Sequence, residues 1–196
     1  QEAPESSFGR DVEPGYWNFL SEKAKKMFPN VLVAFGNRLP DPAMADQCVK
    51  DGIFDYWEVC RPLLADPEMI HKAAEDRMEE VRPCIGSLNC LSRLFRDLPY
   101  TCTMNPALGH EVEPEYQVTP ATVKKKVMVI GAGPAGMECA ITAKKRGHDV
   151  TVFDKAGRIG GNLYAYAIND LARPDDLLSV ISHYEAVAKK LGIEVR

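Results

Sequence analysis

The stretch KKVMVIGAGPAGMECAITAKKRGHDVTVFDK, residues 125–155, decides the fold of the second half of the chain. It reads as an apolar strand, a glycine turn, a helix and a second strand, which is how a Rossmann-like nucleotide-binding fold begins. An amphipathic helix is predicted over 174–192, with Pro174 near its start and Gly192 at its end. The last residues, IEVR, begin a third strand, so the sequence predicts an α/β unit with a parallel sheet.

The turn inside this stretch reads GAGPAG and fits the pattern G-x-G-x-x-G. Gly131 permits a tight turn, Gly133 lets the backbone approach a pyrophosphate, and Gly136 allows the helix to pack closely on the strand. Pro134 and Ala135 open the helix, whose unpaired N–H groups and positive dipole end attract phosphate. The position between a strand and a helix therefore predicts a dinucleotide site, against the alternative of an ordinary turn.

Asp154 lies 23 residues after Gly131, at the end of the second predicted strand. A carboxylate at this place accepts hydrogen bonds from a ribose and argues against a 2′-phosphate. Gly160 and Gly161 follow shortly and suit a second close approach of backbone to a dinucleotide. Together with the first glycine pattern they favour FAD slightly over NAD, whereas alone they would be an ordinary loop.

The first half alternates strand and helix patterns with short joins, which indicates a parallel sheet with right-handed crossovers. The segments are NVLVAFG (30–36), DPAMADQCVKDG (41–52), FDYWEVC (54–60) and DPEMIHKAAEDR (66–77). Two such units are about a quarter of an eight-stranded TIM barrel of about 250 residues. We therefore expect the chain to be a piece of a larger protein or one half of a split one.

Two arginines, Arg38 and Arg61, each follow the end of a predicted parallel strand. On a barrel this is the face where loops bind phosphate. Either arginine could be a phosphate clamp or a surface salt-bridge partner, and the sequence leaves both open.

The segment 78–123 has weak periodicity and many prolines, and it contains Cys84, Cys90 and Cys102 with Ser87 midway between the first two. An iron–sulfur cluster usually takes four thiolates, and this layout keeps the spacing with one ligand changed to a serine, a harder and more basic donor. Zinc held by the three thiolates and His110 is an alternative, and three unliganded thiols are another. The other cysteines, Cys48, Cys60 and Cys139, are expected in the core.

Composition excludes some classes of function. The formal net charge of −4 gives no electrostatic footprint for nucleic acid, and no run approaches the roughly 18 apolar residues of a membrane span. Six cysteines without a secretory leader pattern are read as reduced thiols or metal ligands, so the expected location is cytoplasmic.

The order of these motifs resembles the iron–sulfur flavoenzyme branch of the Old Yellow Enzyme superfamily, which includes 2,4-dienoyl-CoA reductase, enoate reductases and trimethylamine dehydrogenase. The resemblance rests on FGNRLPDPAMADQCVKDGIFDYWEVCRPLLADPEMIHKA, then RPCIGSLNC, CTMNP and VMVIGAGPAGMECA. It implies the C-terminal part of an FMN-binding TIM (β/α)8 barrel over 1–77, an iron–sulfur connector over 78–123, and the start of a Rossmann-like FAD/NAD(P) domain over 124–196.

The resemblance also implies roles for particular residues. The backbone of Gly36, Asn37 and Arg38 and the side chain of Arg61 would hold the FMN phosphate. Residues Cys84, Cys90 and Cys102 match three ligands of a 4Fe–4S cluster, and Ser87 stands where the family has the fourth cysteine. The glycine loop and Asp154 would hold the adenosine half of FAD.

The activity implied is that of an NAD(P)H:flavin oxidoreductase of the ene-reductase type. Electrons would pass from NAD(P)H to FAD, through the cluster to FMN, and as hydride to an activated C=C bond of an enoate or CoA thioester. The rest of the barrel, in a longer chain or a second subunit, would carry the catalytic groups, so no catalytic residue is named. The alternative is a non-catalytic module whose cluster site holds zinc or no metal.

Overall fold

The computed structural model describes residue 9 and residues 11–169 and 173–196. The chain forms two compact units. The first comprises the residues up to Asp76 together with Val81–Leu108, and the second comprises Arg77–Glu80 and Gly109–Arg196. The predicted connector is thus divided between the units, with its cysteines in the first; the three-domain boundaries given above stay a prediction.

The first unit contains two short parallel strands, β1 (Ala34–Gly36) and β2 (Tyr56–Glu58), in which Phe35 pairs with Trp57. Its helices are α1 (Asn18–Met27), α2 (Pro42–Lys50), α3 (Arg61–Ala65), α4 (Met69–Ala74) and α5 (Asn89–Leu94). The parallel pairing and the helix between the strands confirm the predicted alternation. A small core of Leu39, Cys48 and Phe54 holds α2 against the strands.

Helix α2 lies within the segment 41–52 and begins directly after Asp41. The carboxylate of Asp41 accepts a hydrogen bond from the N–H of Ala43 at 2.6 Å, and Pro42 occupies the first turn, where a missing N–H costs nothing. The second Asp-Pro segment behaves differently, since α4 begins only at Met69. The Asp66 carboxylate there accepts from Lys72 Nζ at 2.5 Å and from the N–H of Arg82 at 2.8 Å, which fixes the start of the cysteine segment.

Both strands are shorter than the apolar runs that predicted them. Val31 and Leu32 are exposed, and pairing starts only at Ala34. The reason lies in Asp55, whose carboxylate accepts the N–H of Val33 at 2.8 Å and a hydrogen bond from Lys25 Nζ at 2.5 Å. A side chain therefore takes the backbone donor that a longer ladder would use.

The second unit contains a three-stranded parallel sheet of β3 (Lys126–Ile130), β4 (Asp149–Phe153) and β5 (Glu194–Val195), with β4 in the middle. Its helices are α6 (Pro134–Lys145), α7 (Leu163–Asn169) and α8 (Pro174–Leu191). This confirms the predicted strand–turn–helix–strand order. The order of the strands within the sheet is that of one half of a Rossmann-type sheet.

Helix α8 packs against α6 and α7. It ends at Gly192, which adopts the left-handed conformation (φ 62°) expected of a helix-terminating glycine. Its Tyr184 hydroxyl donates to the carboxylate of Glu138 on α6 at 3.4 Å, and Lys190 Nζ donates to the carboxylate of Glu80 at 2.7 Å. The second contact holds residues 77–80 on the helix.

Among the described residues, no helix has both the length and the apolar character needed to cross a membrane.

Candidate functional site

A cleft of about 450 Å3 lies in the first unit at the carboxyl ends of β1 and β2. Its lining comes mainly from residues 35–40 and 58–62, the two segments that leave the strands, together with Cys84, Gly86 and Leu91. The carboxyl end of parallel strands is where α/β barrels bind phosphate and substrate. The predicted residues Gly36, Asn37, Arg38 and Arg61 all line this cleft.

The turn after β1 has an unusual backbone. Asn37 (φ 75°) and Arg38 (φ 50°) are both left-handed, which costs free energy for residues other than glycine and is found at binding sites. Gly36 is required for a different reason, since a Cβ there would lie 2.0 Å from the carbonyl oxygen of Glu58 on β2. The glycine thus permits the strand contact, and the next two residues turn the backbone into the cleft.

The two arginines take different places around the cleft. Arg38 is buried, and its Nε donates to the carbonyl of Val12 at 3.0 Å. Arg61 stands at the start of α3, where one terminal nitrogen lies 3.5 Å from Asn37 Oδ1. Arg61 also lines a second, smaller cavity of about 20 Å3 that contains the cysteine thiols. Its guanidinium therefore borders both the cleft and the cysteine site.

The cysteine site is formed by the loop 84–90 and by residues 102–104. Cys84, Cys90 and Cys102 all line the small cavity, and all three are partly buried. The loop is tightly turned, with left-handed conformations at Gly86 (φ 63°) and Leu88 (φ 56°). The predicted grouping of these three thiols is present in the structure.

The electrostatics of the thiols follow from burial and from their neighbours. Burial raises the pKa of Cys84 above its ordinary value, and the nearby Cys102 and Cys90 raise it further, whereas the N–H of Gly86 and the guanidinium of Arg61 act in the opposite direction. Burial is also the main cause of the raised pKa of Cys90. Without a bound cation the raised pKa values of Cys84 and Cys90 therefore favour the neutral S–H form of these two groups.

Metal binding would reverse this preference, because a coordinated thiol loses its proton. The backbone is arranged for the anionic form, since N–H groups of Gly86, Leu91 and Met104 point at the three sulfur atoms, the last at 3.4 Å. Such N–H···S contacts tune iron–sulfur clusters. Three of the four ligand positions of a cluster therefore fit the residues present.

The fourth position does not fit in the same way. Ser87 lines the cavity, but its hydroxyl lies 2.8 Å from the hydroxyl of Thr103, and both side chains are exposed. Thr103 follows directly after Cys102, and sequence analysis did not single it out. Its position directly after the last cysteine of the segment is the one feature of the sequence that could have indicated it.

A single zinc ion is disfavoured at this site. Zinc needs four donors at about 2.0–2.3 Å from one centre. Within residue 9 and residues 11–169 and 173–196, no three His, Cys, Asp or Glu side chains are grouped closely enough to hold one metal ion. The proposed fourth zinc ligand, His110, belongs to the second unit, where its Nδ1 lies 2.7 Å from the Glu113 carboxylate and its ring stacks on Tyr116.

The expected core positions of the other cysteines were partly wrong. Cys48 is buried, but Cys60 and Cys139 are exposed, and Cys60 lines the cleft. Cys60 lies beyond the end of β2, since the strand stops at Glu58 and the chain then turns toward α3. The prediction placed Cys60 inside the strand, because the apolar run 54–60 is longer than the strand that forms.

The glycine loop of the second unit has the geometry of a phosphate cradle. A Cβ at Gly131 or Gly133 would meet no atom within 4 Å, so open space lies against the backbone at both positions. A Cβ at Gly136 would instead lie 1.9 Å from the carbonyl oxygen of Gly131. The three glycines thus divide as predicted between access at the first two and packing at the third, and Pro134 starts the helix behind them.

Asp154 braces this loop directly. One carboxylate oxygen accepts the N–H of Ala132 at 2.8 Å, and the other accepts the N–H of Ala156 at 2.8 Å. These bonds lower the pKa of Asp154, so that the group stays anionic. Each carboxylate oxygen has further lone pairs, so ribose hydroxyls can still be accepted. Sequence analysis missed the bracing, because backbone donors leave no residue signature.

The second glycine pair is joined to the first loop. The N–H of Gly160 donates to the carbonyl of Ala132 at 2.8 Å, and a Cβ on Gly161 would lie 3.0 Å from Cα of Gly133. Both glycines are in conformations that side chains rarely adopt (φ 126° and 52°). The two glycine motifs therefore form one continuous backbone surface.

Comparison with known proteins agrees with this arrangement. Residues 129–185 match the family described as an NAD(P)-binding Rossmann-like domain. The chain is 37% identical over 177 residues to the cinnamate reductase of Clostridium sporogenes, which covers 90% of this chain and 26% of that protein. It is 38% identical over 191 residues to the NADH oxidase of Thermoanaerobacter brockii, covering 94% of this chain and 28% of that one.

A solved structure of 2-naphthoyl-CoA reductase with 2-naphthoyl-CoA superimposes on the whole chain with a TM-score of 0.93 at 36% identity. The chain covers 30% of that structure, so it spans between a quarter and a third of the length of these relatives. The match extends over both units, from the strand-end cleft to the glycine loop. These relatives confirm the predicted resemblance to the iron–sulfur flavoenzyme branch of the Old Yellow Enzyme superfamily.

Proposed function

We propose that this chain is part of an NAD(P)H-dependent flavin and iron–sulfur oxidoreductase that reduces an activated C=C bond. The observation that carries the proposal is the open glycine cradle of residues 131–136, braced by Asp154 and continued by Gly161. We assign this cradle to FAD, with its pyrophosphate against Gly131 and Gly133 at the start of α6. Asp154 would then accept hydrogen bonds from the ribose.

The strand-end cleft of the first unit is the proposed FMN phosphate site, and this unit is the proposed C-terminal part of a TIM barrel. Support comes from the left-handed turn at Asn37 and Arg38 and from the position of Arg61 on the cleft wall. Arginine suits phosphate because its planar fork donates two parallel hydrogen bonds. Cys84, Cys90 and Cys102 are the proposed cluster ligands.

When bound, the two flavins and the cluster would supply the transfer of electrons from NAD(P)H to the substrate. The described residues supply the binding surfaces. Asp154 would hold and orient a ribose, Arg61 would neutralise a phosphate, and Cys84, Cys90 and Cys102 would bind the cluster. No catalytic residue is assigned.

The substrate class is proposed from the relatives. Their names include a cinnamate reductase and a 2-naphthoyl-CoA reductase, which act on a conjugated acid and on an aromatic CoA thioester. We therefore propose an enoate or CoA thioester whose double bond is conjugated to the carbonyl group. The remaining barrel strands are proposed to come from a longer chain or a partner subunit, in the cytoplasm.

The test uses Gly133→Ala in the full chain. The backbone at Gly133 (φ −75°, ψ 176°) suits alanine and a Cβ there meets no protein atom, so folding should be unchanged. The methyl group would stand where a pyrophosphate approaches, so FAD affinity measured by flavin fluorescence should fall more than about tenfold, given the steric need for glycine there.

Unchanged FAD affinity with an unchanged melting temperature would contradict the FAD site. Binding of NADH in place of FAD would favour a simple NAD-dependent dehydrogenase. No dinucleotide binding at all would favour the non-catalytic module. Consumption of NADH with cinnamate under anaerobic conditions would then test the reaction itself.

A further inference from the structure

We propose that the cysteine site holds a cluster on three thiolates only, and that its fourth iron is bound by solvent and exchangeable rather than by Ser87. The inference rests on the proposed function, because it requires that the site binds an iron–sulfur cluster. It concerns the one ligand position at which this chain departs from the four-thiolate pattern.

The first argument is the state of the Ser87 hydroxyl. Its oxygen lies 2.8 Å from Thr103 Oγ1, so the two hydroxyls share one hydrogen bond. The Ser87 hydroxyl is therefore already engaged by Thr103 and would have to leave this partner to reach an iron. Iron in a cluster is soft and prefers thiolate to a neutral hydroxyl oxygen.

The second argument is the difference in exposure around the site. Cys84, Cys90 and Cys102 are partly buried and receive backbone N–H groups, whereas Ser87 and Thr103 are exposed. An iron at the Ser87 corner would therefore face water, which is present at far higher concentration than one tethered hydroxyl. Three irons of the cluster would be bound by cysteine thiolates, and the fourth would be open to solvent.

An iron that has no protein ligand can leave the cluster on oxidation. A 4Fe–4S cluster of charge 2+ that loses one Fe2+ ion and passes one electron to an oxidant becomes a 3Fe–4S cluster of charge 1+. Charge and electrons balance, and no protein ligand has to dissociate. The oxidant is a one-electron acceptor such as ferricyanide. Addition of Fe2+ and a reductant reverses the change.

The experiment compares the wild type with Ser87→Ala and Ser87→Cys, each as the full chain, reconstituted anaerobically with Fe2+ and sulfide. One equivalent of ferricyanide is added, released Fe2+ is captured by a coloured chelator, and the clusters are recorded by electron paramagnetic resonance. We expect about one iron released per cluster and an oxidised three-iron signal in the wild type and in Ser87→Ala alike. Ser87→Cys should keep its four irons and show no such signal.

Three results would overturn the inference. Retention of all four irons by the wild type, with loss from Ser87→Ala, would make Ser87 a ligand. Equal release from the wild type and Ser87→Cys would place the labile corner elsewhere. Absence of iron from all three proteins would remove the cluster from the proposed function as well. The FAD titration of Gly133→Ala does not depend on iron, so failure of the dinucleotide site is recognised separately.

Discussion

Gly136 is the position where helix propensity and packing predict opposite effects. Alanine in place of glycine inside a helix favours folding by about 1 kcal/mol. Gly136 lies in the first turn of α6, and a Cβ there would be 1.9 Å from the carbonyl oxygen of Gly131 and 3.1 Å from its carbonyl carbon. Both are backbone atoms, which cannot rotate away as the end of a side chain can.

The clash has a consequence for the whole helix. Relief requires α6 and the glycine loop to separate by about 1 Å, and α6 carries the buried side chains Met137, Ala140 and Ile141. Overpacking of this kind costs typically about 1–3 kcal/mol, and more when the backbone itself must move. We expect Gly136→Ala to lower the free energy of unfolding of the second unit by about 2 kcal/mol after the gain in propensity. For a unit of this size that is a fall in melting temperature of roughly 10 °C.

The measurement is thermal unfolding by circular dichroism, with hydrogen exchange of the peptides over 126–153 to localise the effect. Gly133→Ala, three residues earlier in the same loop, is the matched control, because its Cβ meets nothing and its melting temperature should equal that of the wild type. A Gly136→Ala protein that melts at or above the wild-type temperature would refute the reasoning, since propensity would then outweigh the clash.

Three further predictions concern the other parts of the site. Gly36→Ala should loosen the pairing of β1 with β2, because its Cβ would lie 2.0 Å from the carbonyl oxygen of Glu58, and faster hydrogen exchange of residues 34–36 would show it. Asp154→Ala should weaken FAD binding roughly tenfold through loss of the ribose acceptor, and equal affinity in fluorescence titrations would contradict this. Burial alone would raise the pKa of Asp66, but Lys72 and backbone N–H groups hold it below the ordinary value. The stability that Asp66 contributes is therefore complete above its unfolded pKa of about 4 and is lost as pH falls through the lower folded value. Asp66→Asn should accordingly destabilise the protein at pH 7 and much less in acid unfolding near pH 2.

The second unit was predictable from sequence because local signals and tertiary structure agree there. Strand β3, the glycine turn and α6 follow one another directly in the sequence. Gly131 and Gly136 occupy positions that require glycine, the first because of its positive φ (98°) and the second because of its close contact with the carbonyl of Gly131. Gly192 ends α8 for the same local reason. The first unit was less predictable, because the lengths of its strands depend on the hydrogen bond that the carboxylate of Asp55 accepts from the N–H of Val33. That contact joins residues 22 positions apart and has no local pattern.

The residues of the candidate site also differ in how far the sequence alone indicates them. Cys84, Cys90 and Cys102 were singled out by their spacing, and all three line one small cavity. Their role as cluster ligands stays a prediction. Arg61 became a candidate because it follows a predicted strand. Its position beside both the cleft and the thiols depends on how α3 and the cysteine loop pack. Thr103 was not found, because a hydroxyl that pairs with Ser87 is defined by proximity in space alone.

Asp154 has a structural role in addition to the ribose contact that is predicted for it. The sequence predicts a ribose acceptor, which needs only a carboxylate at the end of β4. In the structure the same carboxylate also ties the loop at Ala132 to the turn at Ala156, and Ala132 in turn accepts the N–H of Gly160. Loss of Asp154 should therefore change the shape of the cradle as well as its contact with ribose. Asp154→Asn separates the two effects, since an amide has one acceptor oxygen where the carboxylate has two. It can keep one brace and lose the other, so an affinity between those of wild type and Asp154→Ala is the expected result.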